Sequence, residues 1–110
     1  MKKAEQEFIN ARARRIFDSA IDEYNAESEY VCKAWRQLRS CTAWVAETDN
    51  YYLLRSYDTI IACIEKSSDT LVDVLRVVYG YTATSAHHIS KFGKDFGAGK
   101  WGCENRIVAR

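Results

Sequence analysis

The sequence predicts an α+β fold, in which a long N-terminal helix (or a helix pair) packs on a small antiparallel sheet and a short C-terminal helix follows. Three observations support this prediction. Apolar residues recur every three or four positions over the first 40 residues, which is the period of an amphipathic helix. Runs rich in aromatic and β-branched residues, typical of strands, follow after residue 50. A segment rich in Thr and Ser then precedes another apolar stripe, as at the start of a capped helix.

The N-terminal helix is predicted from one stripe of apolar side chains. The stripe contains Phe8, Ile9, Ala13, Ile16, Phe17, Ala20, Ile21 and Tyr24, and it resumes at Val31, Ala34, Trp35 and Leu38. One unbroken helix over residues 4–39 would be about 54 Å long, which exceeds the diameter of a compact domain of this size. Either Asn25 and Ser28 break or bend the helix at residues 25–28, or its ends project and pair with another molecule.

The strand-forming residues begin after the helical stripe. Residues 41–46 form either a short strand or a continuation of the helix to Glu47, and the polar residues 48–50 mark a turn. Residues 51–56 and 57–65 contain the aromatic and β-branched side chains that favour strands.

A hairpin with a four-residue loop is predicted next. Residues 66–69 supply the polar loop, and the β-branched content of residues 70–79 favours a second strand. The helical spacing of Leu71, Leu75 and Val78 leaves a helix open as the alternative.

The C-terminal helix is predicted to follow Thr82, Thr84 and Ser85, which are good N-cap residues. Its inward-facing side chains would be Ala86, Ile89, Phe92 and Phe96, and the glycines that would end it are Gly93, Gly97 and Gly99. Residues 100–110 form either a short final strand or an ordered tail. Because no linker or repeat divides the chain, we expect one α+β domain over residues 1–110.

Composition excludes a disordered chain, since 47% of the residues are hydrophobic and 28% are charged. No apolar run approaches the roughly 18 to 20 residues that span a bilayer, and the first residues lack the apolar region of a secretory signal. We therefore expect the cytoplasm of a host cell and no contact with membrane. The four cysteines form no C-x-x-C pair, so we expect reduced, structural thiols at Cys32, Cys41, Cys63 and Cys103.

The sequence contains no recognisable catalytic set. His87 and His88 are adjacent, so on a helix they point about 100° apart and are poorly placed to bind one metal ion together. We expect both at the surface or beside the helix cap. Residues 97–100 lack the spacing of a phosphate-binding loop, and no cysteine has the flanking residues of an activated nucleophile. The prediction is a protein that is not an enzyme and has no metal or cofactor.

The stretch from Tyr51 to Phe96 resembles a group of small proteins of unknown function on phages and mobile elements of gut bacteria. The matching residues are Ser56-Tyr57-Asp58-Thr59-Ile60-Ile61-Ala62 in the first strand, Tyr79 at the end of the second, and Thr82, Thr84, Ser85, His88 and Phe92 in the capped helix. The resemblance covers under half of the chain. It implies a phage or mobile-element origin and supplies no catalytic residues.

The charges fall in blocks of one sign, although the net charge is only +1. Together with the resemblance, these blocks favour a non-enzymatic protein that inhibits a host defence nuclease, as anti-CRISPR proteins do. Its acids would occupy a basic groove in place of nucleic-acid phosphates. The predicted partner-binding residues are Asp18, Asp22, Glu23, Tyr24, Glu27, Glu29 and Tyr30. The partner would be a host protein such as a CRISPR effector or another nuclease, and a homodimer is also open.

The alternative function is a nucleic-acid-binding accessory protein that uses the basic, aromatic C-terminal third. Basic side chains neutralise phosphates, and aromatic rings stack on unpaired bases. An isoelectric point near 7.6 is lower than a dedicated nucleic-acid-binding domain usually has. The residues of this alternative are Lys91, Lys94, Lys100, Trp101 and Arg106.

Overall fold

The α+β fold is confirmed by a computed structural model, which describes residues 3–28 and 35–110. Three helices and six strands are found in these two ranges. Their bounds are α1 Lys3–Ser28, β1 Arg36–Gln37, β2 Ala43–Glu47, β3 Tyr51–Ser56, β4 Thr59–Glu65, β5 Thr70–Asp73, α2 Leu75–Val78, α3 Ala83–Phe96 and β6 Asn105–Val108. None of the helices in the described ranges has an apolar stretch long enough to cross a membrane.

The six strands form one sheet in the order β1-β2-β3-β4-β5-β6. Neighbouring strands are antiparallel except for β5 and β6, which run parallel because α2 and α3 intervene between them. One row of paired residues crosses four strands and consists of Leu53, Cys63, Val72 and Ile107. This row packs against Ala13, Ile16 and Ala20 of α1.

The opposite face of the sheet packs against α3. Leu54, Ala62, Ile64 and Leu71 belong to the same buried cluster as Ile89 and Phe92 of the helix. The sheet is therefore covered on both faces, which explains why its central strands contain nearly continuous apolar runs. The strand β6 lies at one edge of the sheet, between the layer of α1 and the layer of α3.

The helical prediction was wrong after Trp35. The helix α1 includes residues 25–27 and its described part ends at Ser28, and the resumed stripe at 31 and 34 lies outside the described residues. From Arg36 the chain pairs with β2, and Leu38 is buried in the cluster beneath α3. Pairing with a neighbouring strand thus replaces the second helix that the spacing predicted.

The strand predicted over residues 70–79 ends early, at Asp73. The Asp73 Oδ1 atom accepts a hydrogen bond from the Leu75 amide at 3.0 Å, and this contact starts the single turn of α2. The helical spacing of Leu75 and Val78 was therefore the better guide for this half of the segment. Residues 66–69 form the predicted loop between β4 and β5.

The C-terminal helix begins after Thr82, the first of its three predicted caps, so Thr84 and Ser85 lie inside it. Thr82 is its N-cap and accepts a hydrogen bond from the Ser85 amide at 3.2 Å, and Gly97 is its C-cap. Gly93 lies inside α3 and does not end it. Its missing side chain makes room for Leu71, whose Cδ1 atom would lie 3.1 Å from an added Cβ. The final strand, β6, was one of the two predicted forms of the tail.

Candidate functional site

The acidic residues of α1 are partly engaged within the chain. Glu23 accepts hydrogen bonds from the Thr48 hydroxyl, from the Asn50 amide at 3.0 Å and from the Asn50 side chain at 2.6 Å. Burial tends to raise the pKa of Glu23, but these hydrogen bonds outweigh that effect and the pKa is lowered. The Glu23 carboxylate thus holds α1 to the turn between β2 and β3.

Two further residues of the predicted partner-binding set, Glu27 and Tyr24, make contacts within the chain. Glu27 accepts a hydrogen bond from the Asp49 amide at 3.1 Å. The Tyr24 hydroxyl accepts one from the Trp35 indole at 2.9 Å, and the two ring centroids are 5.4 Å apart. Asp18 and Asp22 remain exposed. Glu29 and Tyr30 lie outside the described residues.

The basic set is brought together more closely. Lys94 of α3, Trp101 of the following loop and Arg106 of β6 line one groove of about 190 Å³. Leu71 and Ile89 form its apolar floor. Three residues of the alternative prediction, which lie 12 positions apart in sequence at most, therefore converge on one surface.

Trp101 is the most exposed aromatic side chain in this part of the molecule, with 86% of its surface accessible. Lys100 Nζ lies 5.4 Å from the centroid of the indole ring, so a positive charge accompanies the ring. Lys91 does not join this group: its ammonium donates to Cys41 Sγ at 3.2 Å and the residue is half-buried. The acid of α3, Asp95, is neutralised by Arg39 at 2.6 Å.

The loop that carries Trp101 is tightly built. Gly99 and Gly102 form a bridge, with Lys100 and Trp101 at the turn between them. A Cβ atom on Gly97 would lie 2.4 Å from the Gly102 carbonyl carbon, and Gly102 has a φ of 126° that favours glycine. The glycines thus allow a close approach of backbone to backbone, which fixes the backbone position of Trp101.

Asp69, in the loop between β4 and β5, holds both ends of the Trp101 loop. Its carboxylate accepts hydrogen bonds from the Ala98 amide at 2.9 Å and the Glu104 amide at 2.8 Å. Burial tends to raise the pKa of Asp69, but these amide hydrogen bonds outweigh it and the pKa is lowered. Burial and the nearby negative charge of Asp69 raise the pKa of Cys103 to about 12, so its thiol stays protonated.

Within the part of the chain that the structure describes, Arg106 is anchored at one nitrogen. Its Nη2 atom lies 3.4 Å from Asp73 Oδ2, and Asp73 is buried whereas Arg106 is half-exposed. Because a guanidinium has five N–H donors, this single long contact leaves others directed at solvent. The groove therefore presents an exposed aromatic face between two cations, Lys94 and Arg106.

A serine–histidine cluster lies elsewhere, beneath the start of α3. Ser56 Oγ is 2.8 Å from His88 Nδ1 and 3.0 Å from Ser85 Oγ. His88 is only 4% exposed and Ser56 only 3% exposed, so a substrate cannot reach the pair. The expectation of a surface or cap-adjacent histidine was wrong for His88, which instead joins α3 to β3; His87 is exposed.

The buried histidine gives a pH-dependent stability. Burial and the positive charges of Lys91 and His87 lower the pKa of His88 below its ordinary value of 6.5. Below that value the unfolded chain takes up a proton that the folded chain does not, so this contribution is complete above 6.5 and falls as the pH drops. We expect the free energy of unfolding in urea to fall as the pH drops from about 6.5 to about 5.

The neighbouring histidine, His87, supplies the matched control for this prediction. The substitution His88→Gln should remove the pH dependence in that range. The substitution His87→Gln should keep most of it, because burial, the largest cause of the lowered pKa of His88, remains in that variant. Equal pH profiles for wild type and the His88 variant would contradict the prediction.

In residues 3–28 and 35–110, no group of three or more His, Cys, Asp or Glu side chains could hold a metal ion.

Sequence reasoning missed Asp69 and Asp73, which fix the Trp101 loop and Arg106. Asp69 stood in the predicted loop and Asp73 inside the strand predicted over residues 70–79, but their partners lie about 30 residues away and no local pattern indicates them.

Comparisons of this chain with protein-family models, with curated protein sequences and with solved structures found no match. The function must therefore be inferred from the groove itself.

Proposed function

We propose that this protein binds single-stranded nucleic acid in the groove lined by Lys94, Trp101 and Arg106. The observation that carries the proposal is the exposure of Trp101, 86%, on a loop whose backbone is fixed by glycines and by Asp69. Burial of a large apolar side chain contributes to folding, and an exposed one does not. A rigid loop that displays such a ring is suited to a ligand that covers it.

The chemistry around the ring indicates the class of ligand. A base that stacks on an aromatic side chain contributes about 1–3 kcal/mol, and lysine or arginine beside it neutralises the phosphates that flank the base. Lys94, Lys100 and Arg106 supply those cations around Trp101. Bases in a duplex already stack on each other, so the exposed ring favours unpaired strands.

A second candidate is the acidic, nuclease-inhibiting function. Asp18 and Asp22 are exposed and lie four positions apart on α1, so they share one face of the helix. Glu23 and Glu27 are bonded to the turn between β2 and β3, which leaves fewer free carboxylates to imitate a row of phosphates. Capture of a defence nuclease by the wild-type chain, and loss of capture in the Asp18→Asn/Asp22→Asn variant, would support this candidate.

The test of nucleic-acid binding is a titration of a labelled single-stranded oligonucleotide, followed by fluorescence anisotropy at several salt concentrations. Each phosphate neutralised on a single strand contributes about −0.7 to the slope of log K against log salt. Contacts from Lys94, Lys100 and Arg106 should therefore give a slope of about −2. We expect weaker binding to a duplex of the same sequence. Absence of binding at low salt, or a preference for the duplex, would contradict the proposal.

A further inference from the structure

A second cavity lies on the other side of Arg106. It has a volume of about 390 Å³ and is lined by three arginines, Arg12 of α1, Arg106 of β6 and Arg110 after β6, together with Ile9 and Ile107. Arg106 also lines the groove beside Trp101. Arg106, on the edge strand of the sheet, is therefore common to the linings of both cavities.

The three arginines are brought together by contacts between the two ends of the described chain. Asn10 of α1 accepts a hydrogen bond from the Arg110 amide at 2.9 Å and donates one to the Arg110 carbonyl at 2.9 Å. Gln6 donates to the Val108 carbonyl at 3.3 Å. These hydrogen bonds fasten the backbone of β6 and of Arg110 to α1, so the stretch of helix that carries Arg12 lies beside β6.

The charge of this second cavity is unbalanced. No acidic side chain is found among the described residues that line it, and Asp73 contacts one nitrogen of Arg106 at 3.4 Å. Like charges held together repel each other, and an anion placed among them relieves that repulsion. Guanidinium groups bind phosphate oxygens through two parallel N–H donors, which suits an arginine cavity to a phosphodiester.

We propose that the arginine cavity formed by Arg12, Arg106 and Arg110 is a second phosphate-binding subsite, which takes the backbone of the same strand whose base stacks on Trp101. This inference rests on the proposed function. It adds a direction and a length: the strand runs from the Trp101 loop across β6 towards α1. Short oligonucleotides would occupy the groove alone, and longer ones would reach both subsites.

The test compares two lengths of labelled oligo-dT, about 4 and about 12 nucleotides, which bracket the site sizes of small single-strand-binding domains. The variant is Arg12→Gln/Arg110→Gln, and the matched control is Arg14→Gln/Arg15→Gln, which removes two exposed arginines of the same helix outside the arginine cavity. We expect the first variant to bind the longer strand with a salt slope reduced by about 1.4 and the shorter strand as wild type does. The control should match wild type on both.

The outcomes separate this inference from the proposed function. If the Arg12/Arg110 variant binds the longer strand like wild type, or loses affinity equally for both lengths, the second subsite is disproved while binding at Trp101 stands. If wild type binds neither length, the proposed function itself fails. A circular dichroism spectrum and a urea midpoint equal to those of wild type would confirm that the variant is folded.

Discussion

The Trp101→Ala variant is expected to lose most of its affinity for single-stranded nucleic acid. Stacking contributes about 1–3 kcal/mol per base, which corresponds to a loss of roughly 5- to 150-fold in affinity. The free energy of unfolding should stay unchanged, because 86% of the side chain is accessible in the folded protein and little contact is lost. Anisotropy titrations and urea unfolding of the same preparation measure both quantities.

Phe8 provides the matched control for this prediction. It is also aromatic and 72% exposed, but it lies on α1 and does not line the Trp101 groove. The Phe8→Ala variant should bind as wild type does. An equal loss of affinity in both variants would show that exposed aromatic surface in general, and not the groove, is responsible for binding.

The Asp69→Ala variant is expected to be less stable by about 2–4 kcal/mol. A hydrogen bond to a charged group contributes about 1.5–3 kcal/mol, and Asp69 accepts two from backbone amides, although water can replace part of the loss at the exposed residues Ala98 and Glu104. Its φ of 49° adds a smaller cost, because alanine adopts this conformation less readily than aspartate. Urea unfolding followed by circular dichroism measures the change.

The Asp69→Asn variant separates charge from geometry. Asparagine tolerates the positive φ and keeps one carbonyl oxygen, so we expect a loss of stability between those of wild type and the alanine variant. Because the pKa of Asp69 is lowered, its contribution is complete above the ordinary value of 3.8 and is lost as the pH falls through the folded value. The asparagine variant should lack this part of the acid-induced loss. An alanine variant as stable as wild type would disprove the role of Asp69.

The Asp69→Ala substitution should also affect the binding of nucleic acid. Asp69 touches neither the indole ring nor a ligand, but it fixes both ends of the Trp101 loop. We therefore expect the alanine variant to bind single strands more weakly at a temperature where it is still fully folded, with the salt slope unchanged. A positioning role predicts this combination, since the cations of the groove remain in place.

Most of the fold could be predicted from local patterns. The apolar spacing of α1 and the Thr82 cap of α3 depend on neighbours within one or two turns, and both were found. The apolar runs of the central strands also predicted strands, and they are continuous because both faces of the sheet are buried. The predicted sheet was smaller than the observed one. After Trp35, strand pairing with β2 overrode the apolar spacing. After Asp73, where the Leu75 amide donates to the Asp73 side chain, a helical turn begins in a segment whose β-branched content predicted a strand.

The candidate site was only half visible in the sequence. The clustering of basic and aromatic residues near the C-terminus indicated Lys94, Trp101 and Arg106, because they are close along the chain. Their surroundings depend on contacts between distant parts of the chain. Asp69 binds the loop from about 30 residues away, and Arg12, near the other end of the chain, lines a cavity together with Arg106. Lys91 lies in the same basic stretch of the sequence. Only its hydrogen bond to Cys41 shows that its side chain is directed away from the groove.

Photo-crosslinking to an oligonucleotide that carries a halogenated uracil would locate the bound base on the protein. After irradiation of the wild-type complex, digestion and mass spectrometry identify the residue joined to the base. We expect the crosslink at Trp101, and we expect an excess of unlabelled single strand to suppress it. A crosslink confined to another aromatic residue, such as Phe8 or Tyr81, or complete absence of a crosslink under conditions where the strand is bound, would contradict binding in the Trp101 groove.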